Sequence, residues 1–177
     1  MISIKKAELT DLPKIGKLLR RVETSASYEG INFPIPKITE EDLPSLLEKG
    51  DGIIIKEKNN ILGFAYLTLD VCAYFYPITK NEGQLISLIN KTDCRMAEDV
   101  LVLAYLGVDP LYREKRYGET LLHHIYAKYP RFLILTSLDL TNERGIQYLR
   151  NQGFKRVDVE DFEFIGGNNQ QLLFKRL

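Results

Sequence analysis

The sequence has little of what secreted, disulfide-bonded or membrane-spanning proteins need. Its 177 residues include only two cysteines, Cys72 and Cys94, and no tryptophan. The cysteines have no metal-ligand spacing, which favours two reduced thiols over a disulfide. No apolar stretch approaches the roughly 18–20 residues of a transmembrane helix. The first residues alternate in polarity and form no apolar block typical of a signal peptide, so we expect a cytoplasmic protein.

An excess of charge of one sign is also absent. Lysine and arginine total 24, aspartate and glutamate total 24, and the isoelectric point is about 6.7. Nonspecific binding to nucleic acid or to an anionic membrane depends on a positive excess, so we expect neither partner. The hydrophobic and charged fractions, 45% and 27%, are typical of globular proteins. The length predicts a single domain over residues 1–177.

Hydrophobic periodicity predicts an α/β chain. A strand at the amino terminus precedes a helix from Leu12 to Val22, a loop over Ser25–Ile38 and a second helix after Thr39. Two strands then flank a turn at Asn59 and Asn60, where we expect asparagine to adopt the positive φ. Residues 71–97 have no clear assignment. From residue 98 the predicted order is strand, helix 113–128, strand 132–138, helix 142–151, strand 154–160 and strand 171–176. This order gives a mixed central sheet with helices on both faces.

Residues 108–122 carry the most specific signal, because they predict a strand that turns through a basic loop into a helix. Pro110 ends the apolar run 100–108, and Gly118 allows close approach of the backbone to a ligand. Apolar residues then recur at helical spacing, at Leu121, Leu122, Ile125 and Tyr129. Three cations, Arg113, Lys115 and Arg116, lie before the predicted helix. Cations beside a helix amino terminus are suited to a di- or triphosphate.

These residues resemble the acyl-CoA loop of the GNAT superfamily of N-acetyltransferases. The family pattern is Arg or Gln, two residues, Gly, one residue, then Gly or Ala; here it runs from Arg113 to Gly118, with Arg116 at the first glycine position. Residues 142–154 resemble the second family signature, Asn-x-x-Ala ending in Gly-Phe. Asn142 is a favourable helix N-cap, and Gly153 is a favourable left-handed helix stop.

The resemblance implies a fold, a cofactor and a set of binding residues. The fold would be a GNAT-like mixed sheet with a splay between two parallel central strands, ending at Val108 and Leu138. The cofactor would be acetyl-CoA, used as the acyl donor, with no metal. Its pantetheine and thioester would contact backbone groups of Leu106, Gly107 and Val108, for which a simple buried strand is the alternative. Its remaining contacts would be Arg113, Glu114, Lys115, Arg116, Tyr117, Gly118, Glu119 and Asn142.

The catalytic residues are less well matched to the family. Its members often carry a glutamate base where this chain has Val102, and a tyrosine acid where it has Leu149. Glu98 is a candidate base, although it lies four residues before Val102, about 13 Å at strand rise; a solvated carboxylate at the strand end is the alternative. Tyr148 is a candidate acid. It lies one residue before the expected position, and one residue in a helix rotates the side chain by about 100° around the helix axis. A tyrosine of the core is the alternative there.

The resemblance therefore implies an N-acetyltransferase that moves an acetyl group from acetyl-CoA to a primary amine of a small molecule, peptide or protein. The alternative is a catalytically weak acyl-CoA-binding or regulatory module, since Val102 and Leu149 occupy the two expected catalytic positions. The acceptor amine has no signature in the sequence. We expect a monomer or a homodimer.

Overall fold

The structure is a computed structural model that describes residues 2–30, 38–71, 74 and 100–156, and the backbone of 170–176. Glu98, most of the unassigned segment 71–97 and residues 157–160 of a predicted strand lie outside the described residues. The helices described are α1 (Leu12–Tyr28), α2 (Leu43–Lys49), α3 (Tyr117–Lys128) and α4 (Glu143–Asn151). The strands are β1 (Ile2–Lys6), β2 (Asp51–Glu57), β3 (Asn60–Thr68), β4 (Val100–Val108), β5 (Leu133–Asp139), β6 (Lys155–Arg156) and β7 (Gln170–Arg176).

Two compact units make up the chain. The described part of the first unit is residues 2–30, 38–68 and 103–130; that of the second is residues 69–71, 74, 100–102, 131–156 and 170–176. Strand β4 passes from the second unit into the first between Val102 and Leu103. The single domain over residues 1–177 stays a prediction.

In the first unit the strand order is β1-β2-β3-β4. β1 and β2 pair antiparallel from Ile2 opposite Glu57, and β2 and β3 form an antiparallel hairpin. The hairpin was predicted, but the prediction that an asparagine of its turn has positive φ was wrong. Lys58 has φ +52, and neither asparagine of the turn has a positive φ. The turn therefore places its left-handed residue one position earlier than the asparagine preference indicates.

Helices cover both faces of the sheet in the first unit. Successive residues of a strand point to opposite faces of the sheet, so Gly63 and Phe64 of β3 lie on different faces. A Cβ at Gly63 would lie 3.0 Å from Leu121 of α3. A Cβ at Gly52 would lie 2.3 Å from Leu47 of α2 and 3.2 Å from Phe64. With both faces covered, every residue of β3 from position 61 to 68 is buried.

The second unit contains the parallel strand pair. Val100–Val102 of β4 pair parallel with Leu133–Leu135 of β5, and the pairing covers these three residue pairs although both strands continue. β5 pairs antiparallel with β7, and β7 with β6. This mixed sheet confirms the predicted fold class.

Two helix boundaries differ from the prediction. The helix predicted over 113–128 begins at Tyr117. Residues Pro110–Lys115 form a 3₁₀ helix, and the left-handed conformation of Arg116 separates it from α3. α1 continues to Tyr28 and takes in the first residues of the predicted loop Ser25–Ile38. Its buried face includes Ala26, which extends the apolar stripe by one further turn. None of the helices described here has the length and hydrophobicity needed to cross a membrane.

An ion cluster fixes α3 to the sheet. Asp51, the first residue of β2, accepts hydrogen bonds from Lys128 and Tyr129 at the end of α3, and lies 3.0 Å from Lys6 Nζ. Burial raises the pKa of the Asp51 carboxyl, but the hydrogen bonds from Lys128, Tyr129 and Lys6 outweigh burial and lower that pKa to about 2.

We expect Asp51 to contribute to stability at neutral pH and to lose that contribution in acid. A carboxyl with a lowered pKa stabilises the fold above its unfolded pKa near 4, and the effect disappears as pH falls to about 2. Asp51→Asn should lower the free energy of unfolding by about 2 kcal/mol at pH 7. Urea unfolding between pH 7 and pH 2 measures the difference. Glu57→Gln, at an exposed site on the same strand, is the control; a constant difference for Asp51→Asn across this range would contradict the assignment.

Candidate functional site

The segment 109–116, here called the basic loop, connects β4 to α3. It begins with Asp109, whose Oδ1 accepts a hydrogen bond from the Leu111 N–H at 3.1 Å. Pro110 follows at the first position of the 3₁₀ helix, where its fixed φ is suitable and its missing N–H costs nothing. An aspartate before a proline is a known helix-start signal, so the sequence carried this N-cap although our sequence interpretation did not use it.

Asp109 also anchors the basic loop to its surroundings. Its side chain is 5% exposed, and Oδ2 forms an ion pair with Arg21 Nη2 of α1 at 2.6 Å. The Asp109 N–H donates to the Leu62 carbonyl of β3, and its carbonyl accepts from the Tyr112 N–H, both at 2.8 Å. A buried carboxylate is tolerated only when it is paired and hydrogen-bonded. Asp109 therefore connects the start of the basic loop to a strand and to a helix.

Arg116 adopts the left-handed conformation, with φ +58 and ψ +22. A side chain in this conformation costs roughly 1–2 kcal/mol, and glycine avoids that cost. The glycine of the family pattern thus has a conformational reason at this position, besides leaving room for a ligand. The Arg116 guanidinium is paired with Glu119, with Nε to Oε2 at 2.6 Å and Nη2 to Oε1 at 2.7 Å. Arg116 is 77% exposed, so the pair is at the surface.

The first turn of α3 follows Arg116 directly. Its first intrahelical hydrogen bond runs from the Thr120 N–H to the Arg116 carbonyl at 3.0 Å. By helix geometry the N–H groups of Tyr117, Gly118 and Glu119 have no acceptor within the helix, and the Arg116 side chain does not cap them. The helix dipole adds a partial positive charge at this end. Together these groups are suited to an anion such as a pyrophosphate.

The first cation of the basic loop, Arg113, is also paired. Its guanidinium forms an ion pair with Glu29, the residue after α1, and its side chain is 24% exposed. Glu114 and Lys115 are exposed. Two of the three predicted phosphate-binding cations therefore have carboxylate partners. An anionic ligand would have to replace Glu29 and Glu119 in order to contact Arg113 and Arg116.

The end of β4 precedes the basic loop. Leu106 and Val108 are half-buried and Gly107 is buried. A Cβ at Gly107 would lie 2.5 Å from the Tyr105 hydroxyl, so glycine leaves the space that this side chain occupies. The three predicted backbone-binding residues and the basic loop thus lie in one continuous segment of the first unit. Val102, at the family's usual base position, is fully buried.

The second unit contains Asn142 and the predicted acid. Asn142 is the N-cap of α4, and its Oδ1 accepts from the Gly145 N–H at 2.9 Å, which confirms the predicted cap. A Cβ at Gly145 would lie 2.7 Å from the Asn142 side chain, so the family's alanine would crowd the cap here. Asp139 precedes the cap and accepts from the Thr141 N–H and hydroxyl at 2.8 and 2.6 Å.

The end of α4 explains why Leu149 holds the expected position of the acid. Gly153 has φ +86, as predicted, and the Phe154 N–H donates to the Leu149 carbonyl at 3.0 Å. This is the Schellman arrangement, in which the apolar residues at its two ends also pack together. Leu149 and Phe154 are 5% and 3% exposed. Leu149 is therefore a structural residue, whereas the neighbouring Tyr148 is half-buried with a buried hydroxyl.

Glu98, the candidate base, lies outside the described residues and stays a prediction. In the part of the chain that the structure describes, no three histidine, cysteine, aspartate or glutamate side chains cluster in a way that would hold a metal ion. Asp109 and Glu29 were not among the predicted site residues. For Glu29 no sequence signal existed, because its ion-pair partner Arg113 is far away in the sequence.

The chain matches a known protein family, and solved structures share its fold. The family model described as acetyltransferase (GNAT) family matches residues 19–154. The chain is similar in structure to the PaiA N-acetyltransferase of Thermoplasma acidophilum in complex with coenzyme A, at 18% identity and a TM-score of 0.69, covering 100% of this chain and 99% of that one. It is also similar to the ribosomal-protein-S18-alanine N-acetyltransferase of Escherichia coli, at 15% identity and 0.66, covering 99% and 94%. An acetyltransferase of the GNAT family from Bacillus cereus gives 20% identity and 0.64, covering 99% and 97%.

The curated proteins include no match to the sequence. The matched family model nevertheless covers most of the chain, and the structural neighbours share its fold over nearly their whole length. The chain belongs to the GNAT family of acetyltransferases, as the sequence resemblance predicted.

The left-handed conformation of Arg116 gives a test of the basic loop. Arg116→Gly and Arg116→Ala both remove the ion pair with Glu119, but only alanine keeps a Cβ at positive φ. We expect the free energy of unfolding to be about 1 kcal/mol higher for Arg116→Gly than for Arg116→Ala. At Lys115, which has no positive φ, the same two substitutions should rank in the opposite order. Denaturant unfolding of the four variants makes both comparisons, and an equal ranking at the two positions would contradict the conformation.

Proposed function

We propose that this protein transfers an acetyl group from acetyl-CoA to a primary amine of a small molecule, peptide or protein. The observation that carries the proposal is the basic loop followed by the open first turn of α3, which offers N–H donors and cations to a pyrophosphate. Membership in the GNAT family supports acetyl transfer. The structurally similar Thermoplasma acidophilum enzyme is in complex with coenzyme A, and this supports coenzyme A as the carrier here.

In this proposal the basic loop and α3 bind the phosphates of the donor. The N–H groups of Tyr117, Gly118 and Glu119 donate to the pyrophosphate, and Arg113 and Arg116 exchange Glu29 and Glu119 for phosphate oxygens. Such an exchange replaces one pair of opposite charges by another. It therefore contributes less binding free energy than two cations without carboxylate partners would contribute. Backbone groups of residues 106–108 hold the pantetheine and the thioester, and Asn142 contributes a further contact.

The chemical step is a direct attack of the neutral amine on the thioester carbon. A carbon–nitrogen bond forms, the carbonyl oxygen gains negative charge, and the carbon–sulfur bond then breaks as coenzyme A leaves. The amine must lose a proton and the thiolate must gain one. Because Val102 is apolar and buried, we propose that the first proton goes to water. Tyr148 is the proposed acid for the thiolate, and Glu98 remains the alternative base.

Acetyl-CoA should stabilise the folded protein. At 100 times its dissociation constant the donor should add about 2.7 kcal/mol to the free energy of unfolding, through mass action. A thermal melt with acetyl-CoA, and with NAD and ATP as comparison ligands, measures this. Gly118→Asp should abolish the shift, because a carboxylate would be placed beside the phosphates. Ala127→Asp, exposed on the same helix, is the matched control.

The cofactor assignment fails if wild-type protein shows no shift at saturating acetyl-CoA. The position of the site fails if Gly118→Asp and Ala127→Asp bind acetyl-CoA equally well by calorimetry. A shift without thiol release across a panel of primary amines would instead favour an acyl-CoA-binding module over an enzyme.

Tyr148→Phe tests the proposed acid. If the hydroxyl protonates the leaving thiolate, its loss should reduce turnover by roughly 10²-fold and leave the dissociation constant of coenzyme A unchanged. Thiol release under saturating donor measures turnover. Tyr126→Phe removes another buried hydroxyl and is the control. Unchanged turnover in Tyr148→Phe would make Tyr148 a packing residue.

The acceptor is a primary amine of unknown identity, and neither nucleic acid nor a membrane is a proposed partner. We propose that residues 1–177 act as one cytoplasmic domain, as a monomer or a homodimer, without a metal.

A further inference from the structure

The carboxyl end of α1 carries a charge that the helix itself disfavours. Glu29 is the residue that directly follows α1, and the last turn of this helix contains no basic residue. The carbonyl groups at this end of a helix give it a partial negative charge, so a carboxylate there destabilises the last turn. A cation beside Glu29 therefore stabilises the end of α1.

Arg113 of the basic loop supplies that cation. Its Nη1 donates to Glu29 Oε1, and the two side chains are 24% and 34% exposed, so the pair is accessible to a ligand. Ala26 is the last buried residue of α1, and residues 27–30 are exposed. A helix end with few buried apolar side chains opens locally at a low cost in free energy. The stability of this helix end therefore depends on where the Arg113 guanidinium binds.

A second ion pair between α1 and the basic loop has the opposite polarity. Arg21 of α1 pairs with Asp109 at 2.6 Å, and the Asp109 side chain is 5% exposed. Asp109 also accepts from the Leu111 N–H. Breaking a buried pair leaves an uncompensated charge, so we expect this contact to persist when a ligand binds. The basic loop thus holds α1 at a buried pair and, roughly two turns later, at a pair that a ligand can replace.

Glu29 has a further partner within its own helix. Ser25 Oγ donates to Glu29 Oε1 at 3.1 Å, and this is the oxygen that also accepts from Arg113. If Arg113 moves to another anion, the Glu29 carboxylate can keep this hydrogen bond and is open to water. Breaking the Arg113–Glu29 pair therefore leaves no buried charge without a partner, and the cost that protects the Asp109 pair does not apply.

We propose that the Arg113–Glu29 pair is an autoinhibitory contact, which holds Arg113 away from phosphate in the free protein and stabilises the last turn of α1 until a pyrophosphate replaces Glu29. This inference rests on the proposed function, since that function brings a pyrophosphate to the basic loop. It extends that function by coupling the donor site to the conformation of a helix end. The coupling is reciprocal, so the contact that stabilises this helix end weakens donor binding by the same factor.

Hydrogen exchange of the full chain, followed by NMR, tests the coupling. The N–H groups of Glu29 and Gly30 donate to carbonyls in the last turn of α1. We expect saturating coenzyme A to raise their exchange rates about threefold, because the last turn then opens more often. Inorganic pyrophosphate should have the same effect, whereas S-acetylpantetheine, which has no pyrophosphate, should have none. Exchange around Arg21 should not rise, since its pair with Asp109 stays.

Variants of the pair separate this contact from a general change in charge. Glu29→Gln keeps an oxygen that accepts from Ser25 but removes the charge. The dissociation constant of coenzyme A, measured by calorimetry, should fall about threefold, as expected for a partly exposed ion pair. Coenzyme A should then no longer raise exchange at the end of α1. With Arg113→Ala already present, Glu29→Gln should leave the dissociation constant unchanged. Glu48→Gln, at an exposed site on α2, is the control.

Three results would overturn the inference. They are unchanged or slower exchange at the end of α1 when coenzyme A is bound, an unchanged dissociation constant in Glu29→Gln, and an equal effect of Glu29→Gln with and without Arg113. If any of them is found while coenzyme A binds to the wild-type protein, only the autoinhibitory contact fails. If coenzyme A does not bind to the wild-type protein, the proposed function fails and this inference fails with it.

Discussion

The Asp109 carboxylate is the interaction on which the basic loop depends. One oxygen caps the 3₁₀ helix through the Leu111 N–H, and the other pairs with Arg21 of α1. The Asp109 backbone N–H also donates a hydrogen bond to the Leu62 carbonyl of β3. Loss of Arg21 would leave the buried Asp109 carboxylate without its opposite charge, which is destabilising. This cost fixes where β4 ends and where the chain turns toward α3.

Arg116 shows how a departure from a family pattern is accommodated. The backbone keeps the left-handed conformation that glycine adopts without strain, and arginine adopts it at a cost in free energy. The bidentate pair with Glu119 partly offsets that cost, although exposed ion pairs contribute little, about 0–1 kcal/mol. The chain thus retains the geometry of the loop while changing the residue. The side chain that replaces glycine is a cation at the place where a phosphate is proposed to bind.

The sequence was sufficient for features that depend on local chemistry. The Asn142 cap and the left-handed Gly153 follow from preferences of single residues, and both were predicted. The start of α3 was not, because the left-handed conformation of Arg116, which separates the 3₁₀ helix from α3, has no signal in a residue type that rarely adopts it. The pairs Arg21–Asp109 and Arg113–Glu29 join residues far apart in the chain, and no periodic pattern encodes them. At the β2–β3 turn the residue preference gave the wrong position, since Lys58 and neither of the two asparagines has the positive φ.

The pairing of Arg113 with Glu29, and of Arg116 with Glu119, bears on the kinetics of ligand capture. Charges that are already neutralised by a neighbour project a weak field beyond the Debye length, about 8 Å at physiological ionic strength. The encounter of a polyanion with this surface therefore gains less acceleration from electrostatic steering than three unpaired cations would give. Its association rate should depend only weakly on ionic strength, and discrimination among phosphate-bearing molecules would then be exerted after the encounter, through the rate at which each one leaves.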